Sequence, residues 1–432
     1  MKTTMKTRHH DKTIVLTGGG STGHVSVNLA LIPGLLADGW SVHYIGSKDG
    51  IERSLIEPLK GVTYHEISTG KLRRYWDKRN LSDMLRVGKG LVQATALLRR
   101  LRPNIVFSKG GFVSVPVVLG AKLNRIPAII HESDVTPGLA NRIAIPCATA
   151  VCTTFPETAA YIRGARVVQV GPLVRPELYN GDAERGRKLC GFDRSRPVLL
   201  VMGGSLGSRR LNEAITEALP ELLPRWQIVH LRGKGQVASE AAVAGGGSAA
   251  SGAKEAGGGS AEASLAAKGP GTGGGATGRS ATGRLTVSGL ATGGSMTGGS
   301  ATSDSVVEPG YRSFEYLSEE LPDVLALADA VLTRAGANAL FEMLALRKPM
   351  LLVPLPLSQS RGDQLRNAAS FEAAGLARVL PEEKLSTVTL MQELRALTTG
   401  DPDLQDRLIA AAPADPLPQL HDLIRETAKG RS

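Results

Sequence analysis

"TIVLTGGGSTGHVSVNLALIPGLL", residues 13–36, passes from a β-branched apolar run through three glycines into a segment with helical apolar spacing. A strand, a glycine turn and a helix in that order form the opening unit of a parallel α/β sheet. A helix start presents amide donors and a positive dipole end, worth about 0.3 to 2 kcal/mol to an anion, so phosphate binding is chemically available. The loop is nevertheless not a Walker motif, because no lysine follows its last glycine. Nor is it a clean GxGxxG with an acidic ribose binder at the expected distance, which argues against NAD-dependent oxidoreduction. It presents Ser21, Thr22 and Gly23, then His24. The dipole disfavours a charged histidine there, so a neutral imidazole able to accept a proton is expected; a histidine that caps or packs the loop is the alternative.

The same grammar continues outward. "SVHYIG" (41–46), "NIVFSKGG" (104–111), "PAIIHES" (127–133) and "AVCTTF" (150–155) alternate with helical patterns such as "LSDMLRVGKGLVQATALLRRLR" (81–102). The pattern restarts beyond "VGPLVRPELYNGD" (170–182) with "RPVLLVMGGS", "WQIVHLRG", "AVLTRAG" and "PMLLVPLP". Continuously apolar strands are those of parallel sheets buried on both faces. Two such domains, 13–176 and 177–400, are predicted, with a flexible tail over 1–12 and a helical tail over 401–432. Residues 244–304, rich in Gly, Ser, Ala and Thr, carry almost no large apolar side chain and read as a disordered insertion.

A chain of 432 residues, 42% hydrophobic, is too long for one ordinary core. The net charge of +11 favours an anionic partner, whereas 4% aromatic residues and dispersed basic residues argue against nucleic acid. Cys147, Cys152 and Cys190 match no zinc spacing and read as reduced thiols of a cytoplasmic protein. No metal is implied: the only DxD, Asp401-Pro402-Asp403, lies in a polar turn. No stretch approaches the roughly 20 apolar residues of a membrane span, so any membrane contact is expected to be peripheral. "STGKLRRYWDKRN" (68–80), with Leu72, Arg73, Arg74, Tyr75 and Trp76, suits an anionic interface, or is a plain solvated loop.

Candidate site residues cluster after strand ends, where open parallel sheets bind ligands. In the first half, "KGGFVSVP" offers Lys109, Gly110, Gly111 and Ser114 to a phosphate, and "HESD" places Glu132 and Asp134 to deprotonate an alcohol or to cap the next helix. In the second, "VLLVMGGSLGS" offers Gly204, Ser205 and Gly207 to a pyrophosphate. "RAGANALFE" starts a helix near Gly336, Ala337 and Asn338, with Glu342 near the first turn, able to accept two ribose hydroxyls; Gln364 and Asn367 follow as sugar-binding amides.

These motifs together, in order and at matching spacing from about residue 12 to 395, resemble the MurG family of N-acetylglucosaminyltransferases in its Gram-positive form. The resemblance implies a GT-B architecture: two Rossmann-like, doubly wound parallel-sheet domains facing across a cleft. It implies an inverting, metal-independent and cofactor-free transfer of GlcNAc from UDP-GlcNAc to the MurNAc 4-hydroxyl of lipid I (undecaprenyl-pyrophosphoryl-MurNAc-pentapeptide), giving lipid II. It further implies a peripheral seat on the cytoplasmic face of an anionic phospholipid membrane, with other cell-wall synthesis proteins as neighbours. Carried over, Glu342 holds the ribose, Gln364 and Asn367 the GlcNAc, and Ser205 and its glycines the diphosphate. Arg175 approaches from the joint, and backbone near Phe314 frames the uracil. The first glycine loop with His24 and the "KGGFVSVP" and "HESD" loops receive the acceptor, with His24 the first candidate base and Glu132 or Asp134 behind it. Thr22, "GPLVR" (171–175) and Ala339 depart from the family pattern. Competing readings are another UDP-sugar enzyme, such as a lipid glycosyltransferase or UDP-GlcNAc 2-epimerase, and a non-catalytic membrane scaffold.

Overall fold

A computed structural model describes residues 12–70, 79–204, 207–233, 235–236 and 307–430. The basic start, residues 72–76, Ser205 and the insertion at 244–304 therefore lie outside the described residues.

The first sheet contains β1 (Thr13–Thr17), β2 (Ser41–Ser47), β3 (Val62–Ile67), β4 (Ile105–Ser108), β5 (Ala128–Glu132), β6 (Ala150–Thr153) and β7 (Arg166–Gln169). Their spatial order is β3-β2-β1-β4-β5-β6-β7, and every pairing is parallel. Along β1, Ile14 and Leu16 enter one core layer while Val15 enters the layer on the opposite face. Both faces are covered, which is why the strand reads as an unbroken apolar run.

The second sheet contains β8 (Val198–Met202), β9 (Gln227–Leu231), β10 (Val307–Glu308), β11 (Tyr311–Phe314), β12 (Ala330–Thr333), β13 (Met350–Leu352) and β14 (Arg378–Val379). Their order is β10-β11-β9-β8-β12-β13-β14, with only the two-residue β10 antiparallel to its neighbour. The strand order reverses between β1 and β4 in one sheet and between β8 and β12 in the other. Each reversal leaves a crevice beyond the strands' carboxyl ends, the usual ligand position in doubly wound sheets.

The tail divides between the two cores. The helix Leu404–Ala410 buries Leu404 and Leu408 in the second domain. The helix Leu417–Lys429 returns to the first, where Leu420, Leu423 and Ile424 join the layer built on the helix Ser26–Ala37. Gly34 permits this return, because a Cβ there would stand 2.5 Å from His421 Nε2.

Candidate functional site

The two crevices open into one cleft of about 1380 Å³, lined from both domains. The loops after β1, β2, β3, β4 and β5, with Arg86 and Lys89, form one wall; residues 336–339 with Arg361, Asp363 and Gln364 form the other.

His24 ends a 3₁₀ turn, Thr22–His24, just before the helix Ser26–Ala37. Its Nδ1 lies 3.1 Å from the Gly19 carbonyl and 3.0 Å from Ser21 Oγ. A carbonyl only accepts, so Nδ1 carries the proton and Nε2 the lone pair. No hydrogen bond among the described residues engages Nε2, and His24 lines the cleft. Burial, seconded by the Lys109 charge, pushes its pKa down to about 4, against the opposing effects of the Gly19 bond and Glu52. The imidazole is therefore neutral at pH 7, with burial as the leading cause where the sequence pointed to the helix dipole.

The glycine loop itself is occupied from within. The Gly19 N–H donates to the Gly110 carbonyl (3.3 Å), and the Gly20 N–H donates to Glu52 (3.1 Å). The sequence reading missed Glu52. An acidic residue does follow the second strand, but it turns beneath the glycines, only 1% exposed. The signal lay in "SKDGIE", an acid in the first turn after a strand end.

"KGG" is shaped for chain packing. A Cβ on Gly111, at φ +83°, would fall 2.2 Å from the Gly19 carbonyl oxygen, and one on Gly110, at φ +98°, 2.9 Å from Asn141 Oδ1. Lys109 is buried, donates to Ser133 Oγ at 2.6 Å and has its pKa lowered by that burial, with Glu132 and Asp134 opposing. Ser114 is buried and does not line the cleft: its hydroxyl donates to the Gly111 carbonyl at 2.7 Å.

The two acids behind His24 differ. Both Glu132 oxygens are engaged: Oε1 by the Ser133 and Asp134 N–H groups (2.8 and 3.0 Å), Oε2 by the Gly138 N–H and Asn141 Nδ2 (3.0 and 2.8 Å). This carboxylate clamps the start of the helix Leu139–Ala144, the capping alternative of the sequence reading. Asp134 instead faces the second domain. Burial and the neighbouring Glu132 charge raise its pKa to about 6, against the Asn367 hydrogen bond.

On the opposite wall, Gly336 precedes the helix Ala337–Ala345, and Asn338 Nδ2 stands 3.0 Å from where a Gly23 Cβ would lie. Gln364 lines the cleft and its Oε1 accepts the Leu355 N–H at 3.1 Å. Asn367 is fully buried and joins the domains: Oδ1 accepts the Val135 N–H (3.0 Å), while Nδ2 donates to Asp134 Oδ1 (2.8 Å) and the Ala335 carbonyl (3.1 Å). Glu342 lies in the helix's second turn, adjoining the first, since the helix begins at Ala337. Arg175 grips it in a fork, Nε to Oε1 at 2.7 Å and Nη2 to Oε2 at 3.1 Å. The remaining Glu342 lone pairs are still able to accept ribose hydroxyls.

At the second glycine loop, Gly204 (φ +91°) has open space where a Cβ would point, whereas a Cβ on Gly207 would fall 1.9 Å from the Arg232 carbonyl oxygen. Phe314 ends β11 with its ring buried, and its carbonyl accepts the Arg232 N–H at 3.0 Å. Beneath this loop, buried Arg334 binds Ser208, Glu382 and the Val353 carbonyl, an anchor that the sequence reading did not single out. The cleft thus gathers Ser21, Gly23, His24, Lys109, Gly111, Glu132 and Asp134 opposite Gly336, Ala337, Asn338 and Gln364. It is not lined by Gly110, Ser114, Arg175, Gly204, Gly207, Phe314, Glu342 or Asn367. Asp401, of the discounted DxD, is bound by Arg407.

The comparisons agree on both domains. The glycosyltransferase family 28 N-terminal domain model matches residues 14–153, and the family 28 C-terminal domain model matches residues 296–419. A protein of Geobacillus thermodenitrificans, named UDP-N-acetylglucosamine--N-acetylmuramyl-(pentapeptide) pyrophosphoryl-undecaprenol N-acetylglucosamine transferase, is 47% identical over 97% of this chain and 99% of its own length.

The chain belongs to glycosyltransferase family 28.

Within that family it is a member of the MurG family. An Oceanobacillus iheyensis protein of the same name is 44% identical over 92% of this chain and 94% of its own. The crystal structure of MurG from Acinetobacter baumannii, only 21% identical, superposes with a TM-score of 0.66, covering 96% of this chain and 99% of that one. The GT-B architecture expected from the sequence is the fold observed in this MurG-family chain.

Proposed function

We propose that this chain transfers GlcNAc from UDP-GlcNAc to the 4-hydroxyl of MurNAc in lipid I, forming lipid II with inversion at the anomeric carbon. The observation that carries the reading is a neutral histidine with an open Nε2 in a cleft lined by both domains of a family 28 fold. The named relatives support the choice of donor and acceptor over an epimerase or a scaffold.

In this reading the acceptor lies against the first domain and UDP-GlcNAc against the second. His24 Nε2 takes the proton as the acceptor oxygen attacks the anomeric carbon opposite the departing UDP. A positioned base contributes about 10² to 10⁴ in rate. Asp134 is the next candidate base; Glu132, with both oxygens engaged, holds the loop that carries Asp134. Glu342 binds the ribose from within its Arg175 fork, and Gln364 contacts the sugar. Asn367, expected beside the GlcNAc, bridges the two domains at that position through Val135 and Asp134. The Gly204 amide and the helix start at Gly336–Asn338 stabilise charge on the diphosphate, while the Gly207 N–H closes the turn onto the Gly204 carbonyl at 2.9 Å.

The site on the membrane is part of the same proposal. No helix among the described residues is long and apolar enough to cross a membrane, and the chain carries a net charge of +11. In this reading the chain sits peripherally on an anionic cytoplasmic leaflet, with Leu72, Arg73, Arg74, Tyr75 and Trp76 as contacts and other cell-wall enzymes as neighbours. The test incubates purified protein with labelled UDP-GlcNAc and a lipid I analogue, with and without EDTA. Labelled disaccharide lipid in both samples is expected. Its absence with authentic acceptor defeats the transferase reading, and its loss with EDTA defeats the metal-independent route.

A further inference from the structure

The peptide group joining Gly19 to Gly20 carries two hydrogen bonds at its opposite ends. Its N–H, on Gly20, donates to Glu52 Oε2 at 3.1 Å, and its carbonyl, on Gly19, accepts from His24 Nδ1 at 3.1 Å. We propose that Glu52 is a positioning residue for His24: through this one peptide it fixes the imidazole with Nδ1 protonated and Nε2 open to the cleft. The inference deepens the reading of His24 as the base and rests on it.

The surroundings hold each member of the chain in place. Glu52 Oε1 accepts the Ser47 N–H at 3.0 Å and also the Ser47 hydroxyl, so the carboxylate is held from both sides. A Cβ on Gly19 would lie 2.4 Å from Glu52 Cδ, and a Cβ on Gly111 would strike the Gly19 carbonyl oxygen. Glycine at both positions lets the peptide sit between the carboxylate and the β4 loop. Among the described residues no lysine or arginine forms an ion pair with Glu52, so its charge is answered by hydrogen-bond donors alone. In a site this buried, a charge-assisted bond to the N–H polarises the peptide and makes its carbonyl a stronger acceptor.

When Nε2 takes the acceptor hydroxyl's proton, the imidazolium keeps its Nδ1 proton, and no proton passes to the peptide or to Glu52. The carboxylate stabilises that cation through the intervening dipole, as an orienting acid does in a hydrolase triad. Of the charged groups that act on His24, Glu52 favours its protonation and Lys109 opposes it.

The test compares the full-length protein with Glu52→Gln, both labelled with ¹⁵N-histidine, with His24→Gln assigning the ring signals. Expected are a loss of the single Nδ1–H tautomer at His24, a titration moved to lower pH, and a kcat reduced about tenfold. The KM for UDP-GlcNAc should stay within about twofold, because the carboxylate acts on the acceptor wall. An unchanged His24 spectrum overturns the proposal, whether kcat holds or falls, since a fall alone marks a structural role. If Glu52→Gln does not fold, Gly111→Ala displaces the Gly19 carbonyl from the other side, and the same spectral criterion applies. The base assignment fails separately, if His24→Gln retains wild-type kcat.

Discussion

The two glycine loops share a strand, a glycine turn and a helix, yet their leading glycine amides are used differently. In the first, the amides of Gly19 and Gly20 are engaged by a carbonyl and a buried carboxylate of the same domain, and the loop presents a neutral imidazole. In the second, no hydrogen bond among the described residues engages the Gly204 N–H, and Gly204 borders open space. A buried carboxylate under a loop removes an anion donor and adds a repelling charge; an amide left open near a helix start keeps its donor and the dipole available. That difference is what the proposed division of labour requires, acid–base work at the first loop and diphosphate binding at the second.

The strongest way to break this contrast is His24→Ala, for which kcat should fall about 10²- to 10⁴-fold while the KM for UDP-GlcNAc is unchanged. A comparable rise in KM would place His24 on the donor side. Next is Glu342→Ala, which should raise that KM about 10- to 100-fold, the equivalent of about 1.5 to 3 kcal/mol for hydrogen bonds to a charged group. Titration with UDP alone, read by calorimetry, checks it, and unchanged UDP affinity removes Glu342 from the ribose.

Asn367→Ala tests the seam between the loops. It leaves the buried Val135 N–H without its acceptor and should cost about 1 to 3 kcal/mol in urea unfolding. No loss of stability would show that this contact does not hold the domains together.

The smallest effect is one of position on the pH axis. With a pKa near 4, His24 stays a competent base down to about pH 4, whereas Asp134, near 6, loses its base form from about pH 6 downward. An acid limb of kcat/KM near 4 supports His24; a limb near 6 that survives His24→Gln assigns the role to Asp134. The stability signs are opposite. The lowered His24 pKa contributes stability above its ordinary 6.5 that is lost as the pH falls toward 4. The raised Asp134 pKa contributes stability below its ordinary 3.8 that is lost as the pH rises through 6.

Local pattern alone determined the doubly wound class, because strands buried on both faces need a continuous apolar run, as at 14–16 in β1, 105–107 in β4, 128–130 in β5 and 198–201 in β8. It missed β3 and β7, edge strands whose half-exposed residues mix polar with apolar, β11, whose YRSF alternates without an apolar run, and the two-residue β10 and β14, too short to show a period. It also brought out His24, since a histidine at a helix start has a local electrostatic meaning. Tertiary structure alone decided which amides remain open, that Glu132 is saturated while Asp134 is not, and that Asn367 bridges to a residue 233 positions away. It decided, too, that a helix at the chain's end completes the first domain's core. Those outcomes depend on contacts between segments far apart in the chain, and a carboxylate's role follows from the donors that surround it, which no local pattern of residues contains.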